Sequence, residues 1–308
     1  MKPFTRQLAL FGMPLVLLSA VMAGATVLAG PTSDARKLFS AKTDPAALPL
    51  ESFGSYTNGC IAGAKKLSDG PHHQVVRLSR NRFWGHERTI EFIGKLADRA
   101  HKEGFNGLLV GDLSMPRGGP MASGHASHMI GLDVDIWLAP MPETPLTDLE
   151  RETKGSPSVL KVDSAELNHN IWTDAHANMV RAAAQQDNVA RVFATPAIKK
   201  NLCQKKDPNG TDSWWLARIR PCKAGVCSGH DEHIHARLKC APGDTYCRNQ
   251  PDPDPSEDGC GKELDGAMKE AANNPPNSSK AVINPARRPA FPLSSMPKQC
   301  IGVLNAKP

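Results

Sequence analysis

Two segments rich in histidine and aspartate, about a hundred residues apart, hold the side chains best suited to chemistry. Residues 123–137 contain two histidines and two aspartates without a single Lys or Arg, and residues 230–235 read His-Asp-Glu-His-Ile-His. Imidazole nitrogens and carboxylate oxygens are common protein ligands of Zn²⁺. The pattern therefore predicts a metal site assembled from both segments.

Alternation along two predicted strands would bring these ligands together. Apolar residues flank both segments, which favours an extended backbone, and side chains two residues apart in a strand point to the same face. Asp133 and Asp135 thus share one face of their strand, as do His233 and His235. Two such strands side by side indicate a mixed His/Asp ligand set.

The spacing of His128, six intervening residues and Asp135, combined with a distant His-x-His pair, resembles the metallopeptidase group of lysostaphin-type peptidases, D-Ala-D-Ala carboxypeptidases and hedgehog domains. Two further segments narrow this resemblance. Residues 77–86 read Arg-Leu-Ser-Arg-Asn-Arg-Phe-Trp-Gly-His, and residues 196–203 read Pro-Ala-Ile-Lys-Lys-Asn-Leu-Cys. Together with residues 123–135, they resemble the penicillin-insensitive murein endopeptidases of the Gram-negative periplasm.

The resemblance extends from about Cys60 to Cys300 and implies an enzyme that hydrolyses the D-alanyl–meso-diaminopimelyl cross-links of peptidoglycan. It implies a catalytic zinc bound by His128, Asp135 and His235, with the fourth position open to water. An enzyme of this kind forms no serine ester, so it is expected to be insensitive to penicillin.

Three further side chains are predicted to assist this zinc site. His233 shares a strand face with the ligand His235 and is the candidate general base, whereas His230 is expected to stabilise the oxyanion or to assist the proton transfer. Asp133 is an alternative ligand, but the six-residue spacing favours Asp135. We therefore expect Asp133 to orient a ligand histidine.

Additional binding roles are predicted for residues around this set. The resemblance implies a second metal at His125, for which Asp163 or, less well placed, Glu166 would be partners. Arg117, in the loop that leads into the histidine-rich segment, and Arg82 are candidates for binding a substrate carboxylate. For both arginines, the alternative is a solvated loop residue.

Other mechanisms fit the chain less well. The sequence contains neither the His-Glu-x-x-His helix of thermolysin-like enzymes nor the Gly-x-Ser-x-Gly turn of many serine hydrolases. Two alternative functions stay open at this point. One is a D-Ala-D-Ala carboxypeptidase on the same scaffold, and the other is a zinc-stabilised, non-catalytic cell-wall binding module.

The N-terminus has the pattern of a secretory signal peptide. Two basic residues precede an apolar run from Leu8 to Leu18, and small residues follow, with cleavage expected after Ala25 or Ala29. We therefore predict that residues 1–29 are a signal peptide and that the mature protein is periplasmic. Contact with a membrane is expected only through this segment.

The charge balance suits an anionic polymer. The whole chain carries 37 basic and 31 acidic residues, a net charge of +6, and loss of the two basic residues of the signal peptide leaves +4. Lys and Arg are scattered and no recognised nucleic-acid motif is present, so we expect no nucleic-acid partner. Peptidoglycan is the predicted partner, and the sequence does not distinguish a monomer from a homodimer.

All eight cysteines follow the predicted signal peptide, and an even number in an exported protein indicates disulfides. Composition alone leaves 105 pairings open. The family resemblance implies Cys60–Cys300, Cys203–Cys260 and Cys240–Cys247, with Cys222–Cys227 as an additional local pair.

The predicted fold is a single α+β domain around a small antiparallel sheet that carries the zinc site. Residues 30–59 are expected to be an extended lead-in, and residues 60–250 the zinc metallopeptidase domain. The Pro-rich residues 251–308 would form a C-terminal tail tied down by disulfides. Apolar residues at helical spacing predict one buried helix from about His86 to Gly104.

Overall fold

The computed structural model shows a mixed arrangement of helices and strands. The described parts of the chain are residues 30–206, 212–222, 229–275 and 289–308. Residues Pro31–Pro308 form one folded unit, and the predicted signal peptide lies outside the described residues. Among those described, we find no helix with the length and apolar character that crossing a membrane requires.

Helices and strands alternate along this unit. Its α-helices, in the described residues, are α1 (Ala35–Ser40), α2 (Glu87–Ala100), α3 (Asp148–Thr153), α4 (Asp174–Gln185), α5 (Pro196–Gln204), α6 (Lys262–Asn273) and α7 (Gln299–Asn305). Its strands are β1 (Glu51–Ser55), β2 (Asn58–Ala62), β3 (Lys65–Lys66), β4 (His73–Val75), β5 (Trp84–Gly85), β6 (Leu108–Val110), β7 (Asp133–Pro140), β8 (Val189–Ala194), β9 (Ile219–Pro221) and β10 (His233–Leu238).

A six-stranded sheet in the order β4-β6-β7-β10-β8-β9 forms the centre of the fold. Each of the four central strands, β6, β7, β10 and β8, is antiparallel to the next in this order. The edge strand β4 runs parallel to its neighbour β6, and the edge strand β9 runs parallel to its neighbour β8. The sheet is therefore mixed, whereas the sequence analysis predicted an antiparallel sheet. Both edge strands are only three residues long, too short for their direction of pairing to be read from a hydrophobic pattern.

Alternation along β7 and β10 separates the hydrophobic core from the functional groups. The core-facing residues are Val134, Ile136, Leu138, Ile234, Ala236 and Leu238, all of which are buried. The intervening residues form the opposite side, which we call the site face: Asp133, Asp135, Trp137, His233, His235 and Arg237. The two adjacent strands β7 and β10 therefore supply all six side chains of the site face.

Helices α2 and α4 pack over the core side of the sheet. Phe92, Ile93 and Leu96 of α2 are fully buried in the main core cluster. This helix confirms the prediction from apolar spacing, and the His86 side chain caps its first turn by accepting a hydrogen bond from the Arg88 backbone N–H. The packing of α2 and α4 thus supports the sheet from its core side, and the opposite side of the sheet carries the site face.

The two ends of the chain contain more regular structure than predicted. The expected extended lead-in holds α1 and the β1–β2 hairpin, and Phe39 of α1 is buried against Gly119, where an added Cβ would meet its ring at 2.4 Å. The Pro-rich tail holds α6 and α7. These elements depend on contacts with distant residues, which local periodicity does not reveal.

Disulfides join the C-terminal segment to the rest of the folded unit. The expected bridges Cys60–Cys300, Cys203–Cys260 and Cys240–Cys247 are all present. The predicted pair Cys222–Cys227 includes Cys227, which lies outside the described residues. The bridge from β2 to α7 spans 240 positions of sequence, and closing so long a loop restricts the unfolded chain strongly.

Candidate metal centre

The site face brings the two histidine- and aspartate-rich segments together. In the antiparallel register of β7 and β10, His235 lies opposite Asp135 and His233 lies opposite Trp137. The strand alternation predicted from the sequence thus places both histidines beside an aspartate. A third contribution comes from the loop that precedes β7, which carries His125 and His128.

His128 is held with one ring nitrogen directed at Asp135. Its Nδ1 lies 2.6 Å from the Leu113 carbonyl oxygen, so Nδ1–H donates and Nε2 is the ring nitrogen that faces Asp135. Nε2 lies 3.3 Å from Asp135 Oδ1. The His128 backbone has φ of 66°, a strained value for a non-glycine residue, and its N–H donates to Asp133 Oδ2 at 2.9 Å.

His235 is oriented from behind by Asp133. Its Nε2 lies 2.9 Å from Asp133 Oδ1 and donates to it, which leaves Nδ1 facing Asp135 Oδ1 at 3.9 Å. Asp133 itself is fully buried and accepts a 2.7 Å hydrogen bond from Arg237 Nε. Burial opposes its charge, but Arg237 and His235 outweigh this and hold the pKa of Asp133 well below its usual range.

Asp135 is the centre of a cluster of imidazoles. Besides His128 and His235, its carboxylate lies 3.4 Å from His125 Nε2 and 3.7 Å from His233 Nε2. Burial opposes the charge of Asp135, but the imidazoles, His128 first, hold its pKa well below the usual range. The carboxylate is therefore an anion surrounded by nitrogen donors.

This cluster fits a metal ion. Among the described residues, His128 Nε2 and Asp135 Oδ1 are buried atoms without a hydrogen-bond partner, which is costly unless a cation binds both. His125, His128 and Asp135 each offer a ligand atom within 4.8 Å of the others. Two of these, His128 and Asp135, belong to the ligand set predicted from the sequence.

His125 has a second carboxylate within reach that the sequence analysis did not single out. Its Nε2 lies 2.9 Å from Oδ2 of Asp112, in the turn after β6. The same oxygen accepts from Arg80 at 3.2 Å and from Arg82 at 2.9 Å. Burial opposes the charge of Asp112, but His125 and the two arginines hold its pKa well below the usual range.

The structure does not place the predicted partners of His125 beside it. Asp163 lies in an exposed turn with φ of 48°, outside the cluster that could hold a metal among the described residues. Glu166 is exposed and pairs with Lys161 at 2.8 Å. Both lie on the surface in the loop after α3, and the carboxylates next to His125 are those of Asp112 and Asp135.

His233 and His230 lie beside the cluster on its open side. Burial lowers the pKa of His233, which favours a neutral imidazole able to accept a proton. The ring of His230 lies 4.8 Å from that of His233, centroid to centroid.

The charge of Asp135 also acts on His128. Burial alone would lower the pKa of His128, but Asp135 raises it to about 8.

Comparison with known proteins identifies the family. The model of the penicillin-insensitive murein endopeptidases matches residues 52–305, which include every element from β2 to α7 and all of β1 except its first residue. The chain belongs to this family. The match covers the site face, the preceding loop and all three disulfides described above.

Similar proteins carry the name of this family. A penicillin-insensitive murein endopeptidase of Haemophilus influenzae is 41% identical over 256 residues, which cover 82% of each chain. One of Klebsiella pneumoniae is 35% identical over 247 residues, 80% of this chain and 86% of the relative. One of Escherichia coli is 38% identical over 223 residues, 72% of this chain and 78% of the relative.

The two arginines predicted to bind substrate form hydrogen bonds within the protein in this member of the murein endopeptidase family. Arg117 is 3% exposed, and its guanidinium donates to the carbonyl oxygens of Asp44, Val303, Leu304 and Ala306. The group is therefore buried, and most of its hydrogen bonds go to carbonyls at the C-terminus of α7, so these contacts give its predicted role in substrate binding no support. This burial depends on where the last helix packs, which the loop sequence does not reveal.

Replacing Arg117 with alanine is expected to lower the free energy of unfolding by about 3 kcal/mol, because buried carbonyls lose their donors. Urea denaturation would measure the change, with Arg248→Ala as a control for loss of an exposed arginine. Metal content at low temperature should not change. A loss of less than ~0.5 kcal/mol, as at ordinary surface sites, would contradict this role.

Arg82 connects the site to the loop that carries His125. It donates to Asp112 and, at 3.1 Å, to the backbone carbonyl and hydroxyl of Ser123. These contacts occupy its guanidinium and make it a positioning residue in this structure. With Arg80, Asp112 and Arg237, it belongs to a charged network that the sequence analysis did not anticipate. Of these residues, only Arg237 could have been found from the sequence, because it follows His235 by two residues and must share its face of the strand.

Asp133 offers a test of ligand orientation that is separate from stability. Asp133→Asn and Arg237→Met both break the buried ion pair, and each is expected to cost about 3–5 kcal/mol of unfolding free energy. Of these two residues, Asp133 is the one that hydrogen-bonds His235, so Asp133→Asn should also weaken metal affinity about 10–100-fold. Equal metal affinities in the two folded variants, measured by competition with a chelator, would contradict the orienting role.

Proposed function

We propose that this protein is a zinc-dependent murein endopeptidase that hydrolyses the D-alanyl–meso-diaminopimelyl cross-links of peptidoglycan in the periplasm. The observation that carries the proposal is the buried Asp135 carboxylate among imidazoles, with an unpaired His128 nitrogen beside it. Membership of the family supports a peptidase that acts on murein. The relatives' names point to the same substrate and to insensitivity to penicillin.

For the metal, we propose His128, Asp135 and His235 as ligands. The hydrogen bonds to Leu113 and Asp133 leave one lone pair on each imidazole facing Asp135. His125 is less suited to this first position, because its Nε2 is already within hydrogen-bond distance of Asp112. Two histidines and one carboxylate are a donor set that zinc accepts while leaving a position for water.

The chain's own residues would then handle the proton. When bound, the ion would supply Lewis acidity that lowers the pKa of water toward ~7 and polarises the scissile carbonyl. His233, held neutral by burial, would accept the proton of the attacking water and return it to the leaving amine. His230, next to His233, would assist that transfer or donate to the developing oxyanion.

Resistance to penicillin would follow from the residues that line the site. β-Lactams act by acylating an activated serine. Ser156 borders the pocket beside Asp135 and His233, but its hydroxyl donates to the Glu232 carbonyl at 2.6 Å and accepts from the Ala139 N–H at 3.1 Å. Among the described residues, no imidazole contacts this hydroxyl to activate it.

The compartment is part of the proposal. Residues 1–29 have the composition of a signal peptide, and three disulfides in one domain are typical of proteins that fold in an oxidising environment. The Gram-negative periplasm offers both the oxidising conditions and the substrate. Fractionation of cells that express the full chain would test this, with loss of residues 1–29 expected in the periplasmic fraction.

The activity is tested by incubating the purified, zinc-loaded protein with cross-linked muropeptide dimers and with pentapeptide monomers. Release of monomers from dimers, abolished by chelation and restored by Zn²⁺, is the expected result. Release of D-alanine from monomers without cleavage of dimers would indicate a carboxypeptidase. Zinc binding without any cleavage would indicate a binding module, and both results would contradict the proposal.

A further inference from the structure

A small pocket adjoins the metal cluster on the side away from Asp133. It has a volume of about 200 Å³, and Asp135, His125 and His233 form one of its walls. The remaining walls include Arg77 and Glu232. A group bound here would sit directly beside the bond that the proposed enzyme cleaves, and the pocket is about the size of one end of an amino acid.

Of the two arginines that line the pocket, Arg77 is the one without an ion pair in the described part of the chain. Arg80 also borders the pocket, but it pairs with Asp112, which already serves Arg82 and His125. Among the described residues, the Arg77 guanidinium makes no hydrogen bond or ion pair.

The Arg77 guanidinium lies over the indole of Trp137, whose ring centroid is 5.5 Å from the guanidinium carbon. The nearby Glu152 carboxylate is bound instead by the backbone and hydroxyl of Ser79. The Arg77 guanidinium is therefore supported by an aromatic ring and left with its hydrogen-bond donors available.

The position of Arg77 is built into the fold. Trp137 follows Asp135 by two residues on the site face and lies opposite His233, so the indole continues the row of metal ligands. Arg77 has a left-handed backbone with φ of 61° and ψ of 46°, a strained conformation for an arginine. Its N–H donates to the carbonyl of Arg151, which is itself buried and bound to Asp69 at 2.7 Å.

Strain held in place by buried contacts, beside a candidate active site, suggests a binding function. The chemistry of the substrate supplies the matching group. When one amino group of diaminopimelate is joined to D-alanine, the carboxylate on the same carbon stays free, next to the scissile amide. A planar guanidinium binds a carboxylate through two parallel hydrogen bonds.

We propose that Arg77, backed by Trp137, binds this free carboxylate and thereby selects the cross-link and places its amide at the metal cluster. The inference rests on the proposed function, since it names a subsite of the same reaction. Glu232, which also lines the pocket, repels a carboxylate and directs it toward Arg77. Arg77 is thus a specificity-determining residue of this enzyme.

The test compares two cross-linked dimers that differ only in whether this carboxylate is free or amidated. For the zinc-loaded wild type, kcat/KM is expected to be about 10–100-fold higher for the free acid, because hydrogen bonds to charged groups are worth this much. Arg77→Gln should lose that factor on the free acid, mainly through KM, so that its kcat/KM no longer distinguishes the free acid from the amidated dimer. Arg77→Lys should restore part of the preference.

Two controls separate this subsite from general effects. Lys95→Gln removes one positive charge from the solvent-facing side of α2 and should keep the wild-type preference. Zinc content and thermal stability of Arg77→Gln should match the wild type. An unchanged preference in Arg77→Gln would overturn the subsite, whereas failure of the wild type to cleave either dimer would overturn the proposed function itself.

Discussion

Replacing Asp135 with alanine is expected to remove metal binding and peptidase activity together. Its carboxylate is the group that His125, His128, His233 and His235 all face, at 3.3–3.9 Å. Without it, the imidazoles lose their shared anion and the site loses its charged ligand. Metal analysis of the purified variant should show a drop from a stoichiometric amount to background, and muropeptide dimers should stay intact.

A matched control distinguishes this effect from unfolding. Asp187→Ala removes one acidic group from an exposed position and should keep full metal content and activity. Asp135→Ala should keep the melting temperature of the metal-free wild type, because the hydrophobic side of the sheet is untouched. Cleavage by a metal-free Asp135→Ala variant would contradict the assignment of Asp135 as a ligand.

Replacing His233 with alanine is expected to spare the metal but reduce kcat by about 10²–10⁴-fold, the usual contribution of a positioned general base. His233 lies beside Asp135, yet the lone pairs oriented toward that carboxylate are those of His128 and His235. Metal analysis and steady-state kinetics on the same preparation would show both effects.

The contrast with His235→Ala makes this result decisive. His235 is a proposed ligand two residues away on the same strand face, so its loss should reduce metal content as well as activity. If His233→Ala also lost the metal, His233 would be a ligand and not a base. If it kept the wild-type kcat, another group would have to accept the proton.

Several parts of the site follow from the sequence because they depend on local geometry. A two-residue alternation places Asp133 with Asp135 and His233 with His235 in any strand, whatever surrounds it. Bringing the two pairs of side chains together then needs only the pairing of β7 with β10. The helix around Phe92 and Leu96 was predictable for the same reason, since its apolar residues recur at helical spacing.

Other parts depend on contacts between distant residues. Asp112 lies alone in a short turn, and only the folded chain brings Arg80, Arg82 and His125 to it. The loop around Arg117 resembles a flexible substrate-binding loop until α7 packs against it. The edge strands β4 and β9 and the short helices α1 and α7 likewise have too few residues for a pattern of their own.

The most direct test of the central claim is anomalous scattering at the zinc absorption edge from crystals of the zinc-loaded protein. We expect a peak within bonding distance of His128 Nε2, a carboxylate oxygen of Asp135 and Nδ1 of His235. A zinc peak bound by other residues, with these three side chains uncoordinated, would contradict the proposed centre.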